Sequence, residues 1–267
     1  MRLLSRMLSA ALAAASLTVL ALPVQAGTLE NIKQRGKLLV AIDLGLPPFG
    51  TVDSNMQPTG GDVDAAKLLA AEIGVPLEIV PATGPSRIPF LLTGKVDAVM
   101  SSFSITAERK KVIDFSLPYG IIQIICAAPK DIAIKSAADL AGKTVAVTRG
   151  TGSDADATKI VKADPKVSIV RFEDDATLIT ALATGQQDIM VAAPAQMNES
   201  NRKAPARALE TKFVVRTNGY AVGLRKDDPT FKDFVNAWVQ KDLANGKLRK
   251  VYSQYFGAEL PAEMPKE

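Results

Sequence analysis

From Leu38 onward the chain alternates apolar runs of strand length with amphipathic stretches of helix length, and it does so in two series. In the first, Leu38 to Asp43 reads as a buried strand. Asp62 is placed to cap a helix over Val63 to Ile73 that stops at Gly74, and Leu77 to Val80 is a second strand. Ser86 opens a short helix ending at Gly94, and Val96 to Met100 is a third strand. In the second, Ser136 caps a short helix through Leu140. Strands over Lys143 to Thr148, Val167 to Phe172 and Asp188 to Ala192 then alternate with helices over Asp154 to Ala163 and from Asp175 or Ala176 to Thr184. Phe231 to Tyr255 closes the chain as helix, with a break at Gly246. Parallel strands need a crossover, and a helix is the usual one, so this rhythm predicts an α/β fold with a mostly parallel sheet. Two series predict two lobes, each with its own core.

Composition then removes many chemistries. The 267 residues include no histidine and one cysteine, Cys126. Without an imidazole there is no Ser-His-Asp or Cys-His site, and histidine-containing and all-thiolate zinc sites go with it. Carboxylate or lysine acid–base chemistry survives, as does an all-carboxylate metal site. Cys126 lies in an apolar stretch and reads as a small buried hydrophobe rather than a reactive thiol. Neither a metal nor a cofactor is expected.

The N-terminus has the layout of an export signal. Arg2 and Arg6 precede an apolar run from Leu8 to Leu22; Pro23 ends it, and Val24-Gln25-Ala26 supplies small residues at the cleavage site. The run is shorter than the ~20 residues of a membrane span, so residues 1–26 read as a signal peptide cleaved after Ala26, with the mature chain in the periplasm. Removing them leaves 30 basic against 28 acidic residues. No basic cluster longer than Arg109-Lys110-Lys111 remains, which argues against a nucleic-acid partner.

Two loops carry candidate binding chemistry. Gly150-Thr151-Gly152-Ser153-Asp154-Ala155 follows a predicted strand and opens a helix, with Glu173 after the next strand, as in a dinucleotide fingerprint. The same glycine-rich turn at a helix N-terminus suits any anion, a carboxylate included, and an exported chain favours that reading. Ser101 to Arg109 follows another strand at its carboxyl end, where ligands gather in open α/β sheets. Its hydroxyls, free amides and the guanidinium of Arg109 suit a carboxylate; a capped helix with a solvated arginine would use the same residues.

These loops belong to a longer series of matching stretches: Gly36-Lys37-Leu38 with Asp43 and Pro48-Phe49; Gly61-Asp62-Val63-Asp64; Arg87-Ile88-Pro89; Gly94-Lys95-Val96-Asp97; Ser104-Ile105-Thr106 with Glu108-Arg109-Lys110; Ile113-Asp114-Phe115-Ser116 with Pro118-Tyr119; Leu140-Ala141-Gly142-Lys143; Gly150-Thr151; and Val222-Gly223-Leu224-Arg225-Lys226. In this order they resemble the bacterial extracellular solute-binding proteins, family 3, of amino-acid ABC transporters. The resemblance implies a type II two-lobed (Venus-flytrap) binding fold joined by two hinge strands. Lobe 1 would hold 27–119 and 216–267, and lobe 2 would hold 120–215. It further implies that Arg109 pairs with the ligand α-carboxylate, that Ser102, Ser104 and Thr151 assist, and that Thr148 touches the ligand. Arg87 would meet a side-chain carboxylate, as in acidic amino-acid binders, or serve as a structural arginine.

Three departures from the family pattern stand out. Leu46 and Gly84 occupy positions where relatives often place aromatic residues, and Ala193 stands where relatives usually carry an aspartate for the ligand ammonium. A buried ammonium without an acceptor is costly. Either another acceptor serves, such as Asn198, Glu199 or a shifted aspartate, or the ligand lacks a normal free α-ammonium. Two arginines and no evident acid point to a polar or acidic amino acid or related carboxylate. The expected role is that of a monomeric, non-enzymatic receptor delivering this ligand to an inner-membrane ABC permease. A ligand-sensing module and a dehydratase-like enzyme on the same fold are the alternatives.

Overall fold

The computed structural model describes residues 27–226 and 228–265. The predicted leader, residues 1–26, lies outside the described residues. In chain order the elements are α1 (Thr28–Arg35), β1 (Leu38–Ile42), β2 (Thr51–Val52), β3 (Pro58–Thr59), α2 (Gly61–Ile73), β4 (Leu77–Pro81), α3 (Arg87–Leu92), β5 (Ala98–Val99), α4 (Ala107–Lys110) and β6 (Asp114–Pro129). There follow β7 (Thr144–Thr148), α5 (Gly152–Ala163), β8 (Ser168–Phe172), α6 (Asp175–Thr184), β9 (Met190–Ala192), α7 (Pro194–Lys203), β10 (Leu209–Leu224), α8 (Pro229–Ala244) and α9 (Lys247–Phe256). Among the described residues no helix is long and apolar enough to cross a membrane.

Eight strands form one mixed sheet in the order β4-β1-β5-β10-β6-β9-β7-β8. β1 runs parallel to β4 and β5 at one end, and β7 runs parallel to β8 and β9 at the other, each built from βα units as the alternation predicts. The middle departs from the expected mostly parallel sheet. β6 and β10 are 16-residue strands that pair antiparallel from Asp114–Leu224 to Pro129–Leu209, and β10 is antiparallel to β5, as β6 is to β9. Four register shifts interrupt the β6–β10 ladder, and such irregularities bend and twist a pair of strands. These two strands join the halves of the molecule, and each half has its own cores. Val40, Ile42, Val63, Leu69 and Trp238 pack together in the first, while Cys126, Val145, Val147 and Val191 do so in the second. Cys126 is fully buried, and desolvation pushes its thiol up to about 12, as befits a structural residue.

Several helix boundaries follow from caps legible in the sequence. Gly74 ends α2 in the left-handed conformation with φ 83°, and Thr106 accepts the Arg109 amide at the start of α4. Other boundaries differ. Gly60, with φ 131°, precedes α2, so Asp62 sits inside the first turn and its carboxylate is used elsewhere. Ser86 bonds Thr83 across a tight turn rather than capping α3. α1 and α7 add to the predicted elements; both are short and mostly polar, α1 burying Thr28, Leu29 and Ile32 and α7 burying Ala195, Gln196 and Ser200.

Trp238 is fully buried in the first half and its indole N–H donates to Asp242 at 3.0 Å. Trp238→Ala leaves a large cavity and takes one of the donors from the Asp242 carboxylate, so it should cost on the order of 3–5 kcal/mol, read as a lower midpoint in urea unfolding.

Candidate functional site

The carboxyl ends of the strands in both halves face one another, and the loops leaving them make the site. After β5, Ser101 accepts the Asp43 amide on its hydroxyl at 2.9 Å. Ser102 takes a left-handed backbone conformation, φ 43°, unusual for a residue with a side chain, and its N–H donates to the Asp62 carboxylate at 2.6 Å. The Tyr119 hydroxyl donates to the other Asp62 oxygen at 2.8 Å. Asp62 therefore holds the strained loop from below.

Arg109, in the first turn of α4, reaches from this loop to the other half. One guanidinium nitrogen donates to Ser104 O and the other to Gly150 O, each at 2.8 Å, and the group lies 4.1 Å over the Phe103 ring. It is 6% exposed, and its described partners are neutral carbonyls rather than a carboxylate. Burial, followed by the neighbouring charges of Arg87 and Arg216, pulls its pKa down to about 9. Arg216, on β10, donates to Asp156 at 2.9 Å, and its buried Nη2 has no partner.

Arg87 meets Asp43 in a buried ion pair at 3.0 Å, which leaves its Nε–H without an acceptor. Across the cleft the Thr148 hydroxyl and the Gln196 amide both donate to Oδ1 of Asp175, which is 1% exposed. Burial, and then the charge of Asp43, hold this carboxyl above the ordinary range, against Arg87 and the two hydrogen bonds. The Asp43–Arg87 pair of one half and Asp175 of the other thus lie within reach of each other's fields.

The halves also touch backbone to backbone. The tight turn at Gly84–Ser86 lies against Arg149-Gly150-Thr151, so closely that a Cβ on Gly84 would stand 2.3 Å from Arg149 O. Gly150 has φ 70°, and a Cβ there would stand 3.2 Å from Gly84 O. The cleft is closed in this conformation.

The family model of the bacterial extracellular solute-binding proteins, family 3, matches residues 38–258. The chain belongs to this family. It is 35% identical over 210 residues to a glutamine-binding protein of Geobacillus stearothermophilus, covering 76% of this chain and 78% of the relative. It is 30% identical over 237 residues to the L-cystine-binding protein TcyJ of Escherichia coli, covering 88% of each. Among solved structures, a mutant of ArgBP from T. maritima superposes with a TM-score of 0.78 at 35% identity, covering 86% of this chain and 100% of that one. The ancestral amino acid-binding protein AncCDT-1, described as a precursor of cyclohexadienyl dehydratase, does so with a TM-score of 0.76 at 38% identity and the same coverage. The two-lobed α/β architecture of these solute-binding proteins is therefore that of this chain.

The predicted site residues of this family member do converge on one cleft, in unequal states. Arg109, Ser102 and Ser104 come from the first half, Thr148 and Thr151 from the second. Thr151 is committed to its helix, accepting the Asp154 amide and donating to Thr148 O, and Thr148 is committed to Asp175. Glu173, the acid of the dinucleotide reading, is an exposed partner of Arg149 at 2.7 Å. Asp175, Gln196 and Arg216 escaped the sequence reading. Asp175 looked like any first-turn acid of a helix, Gln196 sits in the unanticipated α7, and Arg216 is one polar position in a long strand.

Two consequences are measurable. Gly84→Val should leave the unliganded fold intact and hold the halves apart, weakening ligand affinity by at least ~10-fold in calorimetric titration, because only the closed form contacts ligand from both sides. Burial pushes Asp62 up to about 6, against the Tyr119, Ser102 and Arg87 interactions. Between its ordinary value and about 6 the folded protein keeps a proton that the unfolded chain has released, so stability from this group rises as pH falls through that window. The melting temperature of the natural protein minus that of Asp62→Asn should therefore increase from pH 7 to pH 5.

Proposed function

We propose that the protein is the substrate-binding component of an ABC importer, exported by cleavage after Ala26 and binding a polar amino acid in the closed cleft. The observation that carries this is Arg109: a buried guanidinium held by one carbonyl from each half, without a carboxylate of its own. A ligand carboxylate is the anion such a group lacks. The named specificities of the relatives, for glutamine, cystine and arginine, support an amino acid as the bearer of that carboxylate.

The ligand then favours closure because it contacts both halves, with 27–119 and 216–267 as one lobe, 120–215 as the other, and β6 and β10 as the hinge. The closed form is the one recognised by the membrane permease. An acidic side chain fits less well than the two arginines suggested, because Asp43 already neutralises Arg87 and Asp175 faces the same space. Ser102, Ser104 and Thr151 remain assigned to the carboxylate end, and Thr148 to the opposite wall.

Arg109→Ala should abolish amino-acid binding detectable at micromolar concentrations while the ligand-free protein still unfolds cooperatively. A screen of the L-amino acids by thermal shift, repeated on the variant, checks this, since a ligand of the folded state raises the melting temperature. Stabilisation of the variant equal to that of the natural protein would defeat the assignment.

A further inference from the structure

We propose that Asp175, with Gln196, receives the ammonium group of the ligand, so that the site takes molecules carrying one carboxylate and one cationic nitrogen. This rests on the amino-acid reading above and sharpens it.

The inference starts from hydrogen bonds that are missing. Both described bonds to Asp175 fall on Oδ1, from Thr148 and from Gln196, and no described bond reaches Oδ2. Neither donor carries charge. A carboxylate excluded from water is costly unless a cation or several donors meet it. Gln196 is 5% exposed and must turn its N–H group toward the carboxylate, because only a donor can bond there. Its Oε1 is thereby directed elsewhere and has no partner. A carboxylate that meets only uncharged donors thus stands beside a buried amide oxygen that meets no donor at all. An ammonium group supplies several N–H donors and the positive charge that Asp175 lacks. A hydroxyl or a carboxylate on the ligand would leave the charge unmatched or oppose it.

The position fits. Thr148 ends β7, Asp175 opens α6 and Gln196 lies in the first turn of α7, so all three sit at the carboxyl edge of the second half of the sheet. The backbone N–H of Gln196 donates to Ala193 O, which puts the pair next to the residue that carries no acid in this chain. Arg109 on the opposite half lacks an anion, and Asp175 lacks a cation. One zwitterion completes both.

The test compares a ligand with and without its amino group. The natural protein and Asp175→Asn are titrated with each of the twenty L-amino acids, and then with the deaminated analogue of the tightest binder, in which hydrogen replaces the amino group. The natural protein should prefer the amino acid by ~100-fold or more, and Asp175→Asn should reduce that preference to below ~10-fold. The ligand-free melting temperature of Asp175→Asn should equal or exceed that of the natural protein, because the variant removes a desolvated charge. A merely structural carboxylate gives the opposite pattern: a lower melting temperature and an unchanged preference for the amino group. That outcome, or natural protein that binds the deaminated analogue as tightly as the amino acid, overturns the proposal. If no amino acid binds the natural protein, or if Arg109→Ala binds as it does, the functional reading itself fails, and this inference fails with it.

Discussion

The antiparallel pairing of β6 with β10 is the constraint on which the rest of the molecule depends. Both strands belong to both halves, so the chain crosses between them only along a hydrogen-bonded ribbon. A ribbon of two strands resists stretching and sliding, since that would break many ladder bonds, yet bends and twists at its register shifts. In the lobe closure proposed above, relative motion is thereby reduced to rotation about one line. The parallel units on either side need only present the carboxyl ends of their strands toward that line for their loops to meet.

What meets there is organised by charge. Arg109 makes one end of the cleft positive, beside an open N–H group of the Arg216 that Asp156 neutralises, and Asp175 with the free oxygen of Gln196 makes the other end negative. Between them Arg87 and Asp43 cancel each other while remaining close enough to tune both ends. Each unpaired buried charge is unfavourable alone. Together they form a dipole of fixed direction, and a ligand with the complementary dipole is favoured in one orientation only.

The sequence made the architecture legible because alternation and caps are local. β1, β4, β7 and β8 and the helices between them follow from apolar periodicity and from residues such as Gly74 and Thr106. The orientation of β6 and β10 is decided by partners 80 to 110 residues apart, and no local pattern reports that. The site divided the same way. Arg109 was legible because it sits in a recognisable loop with hydroxyls around it. Asp175 was not, because its significance comes from the absence of a cation in three dimensions, and an acid after an N-cap is otherwise ordinary. Arg87 was read as a ligand contact or a structural arginine; only the fold shows that Asp43 occupies one of its nitrogens and leaves another open.

The contact between Gly84 and Arg149 involves peptide groups on both sides, and the Arg109 bond to Gly150 likewise ends on a backbone oxygen. Closure is therefore written in main-chain atoms, whose chemistry does not change when neighbouring side chains do. The walls of the cleft can be altered at positions such as 148, 175 or 196 without redesigning the clasp. A scaffold of this kind lets ligand preference drift between lineages while the act of shutting stays the same.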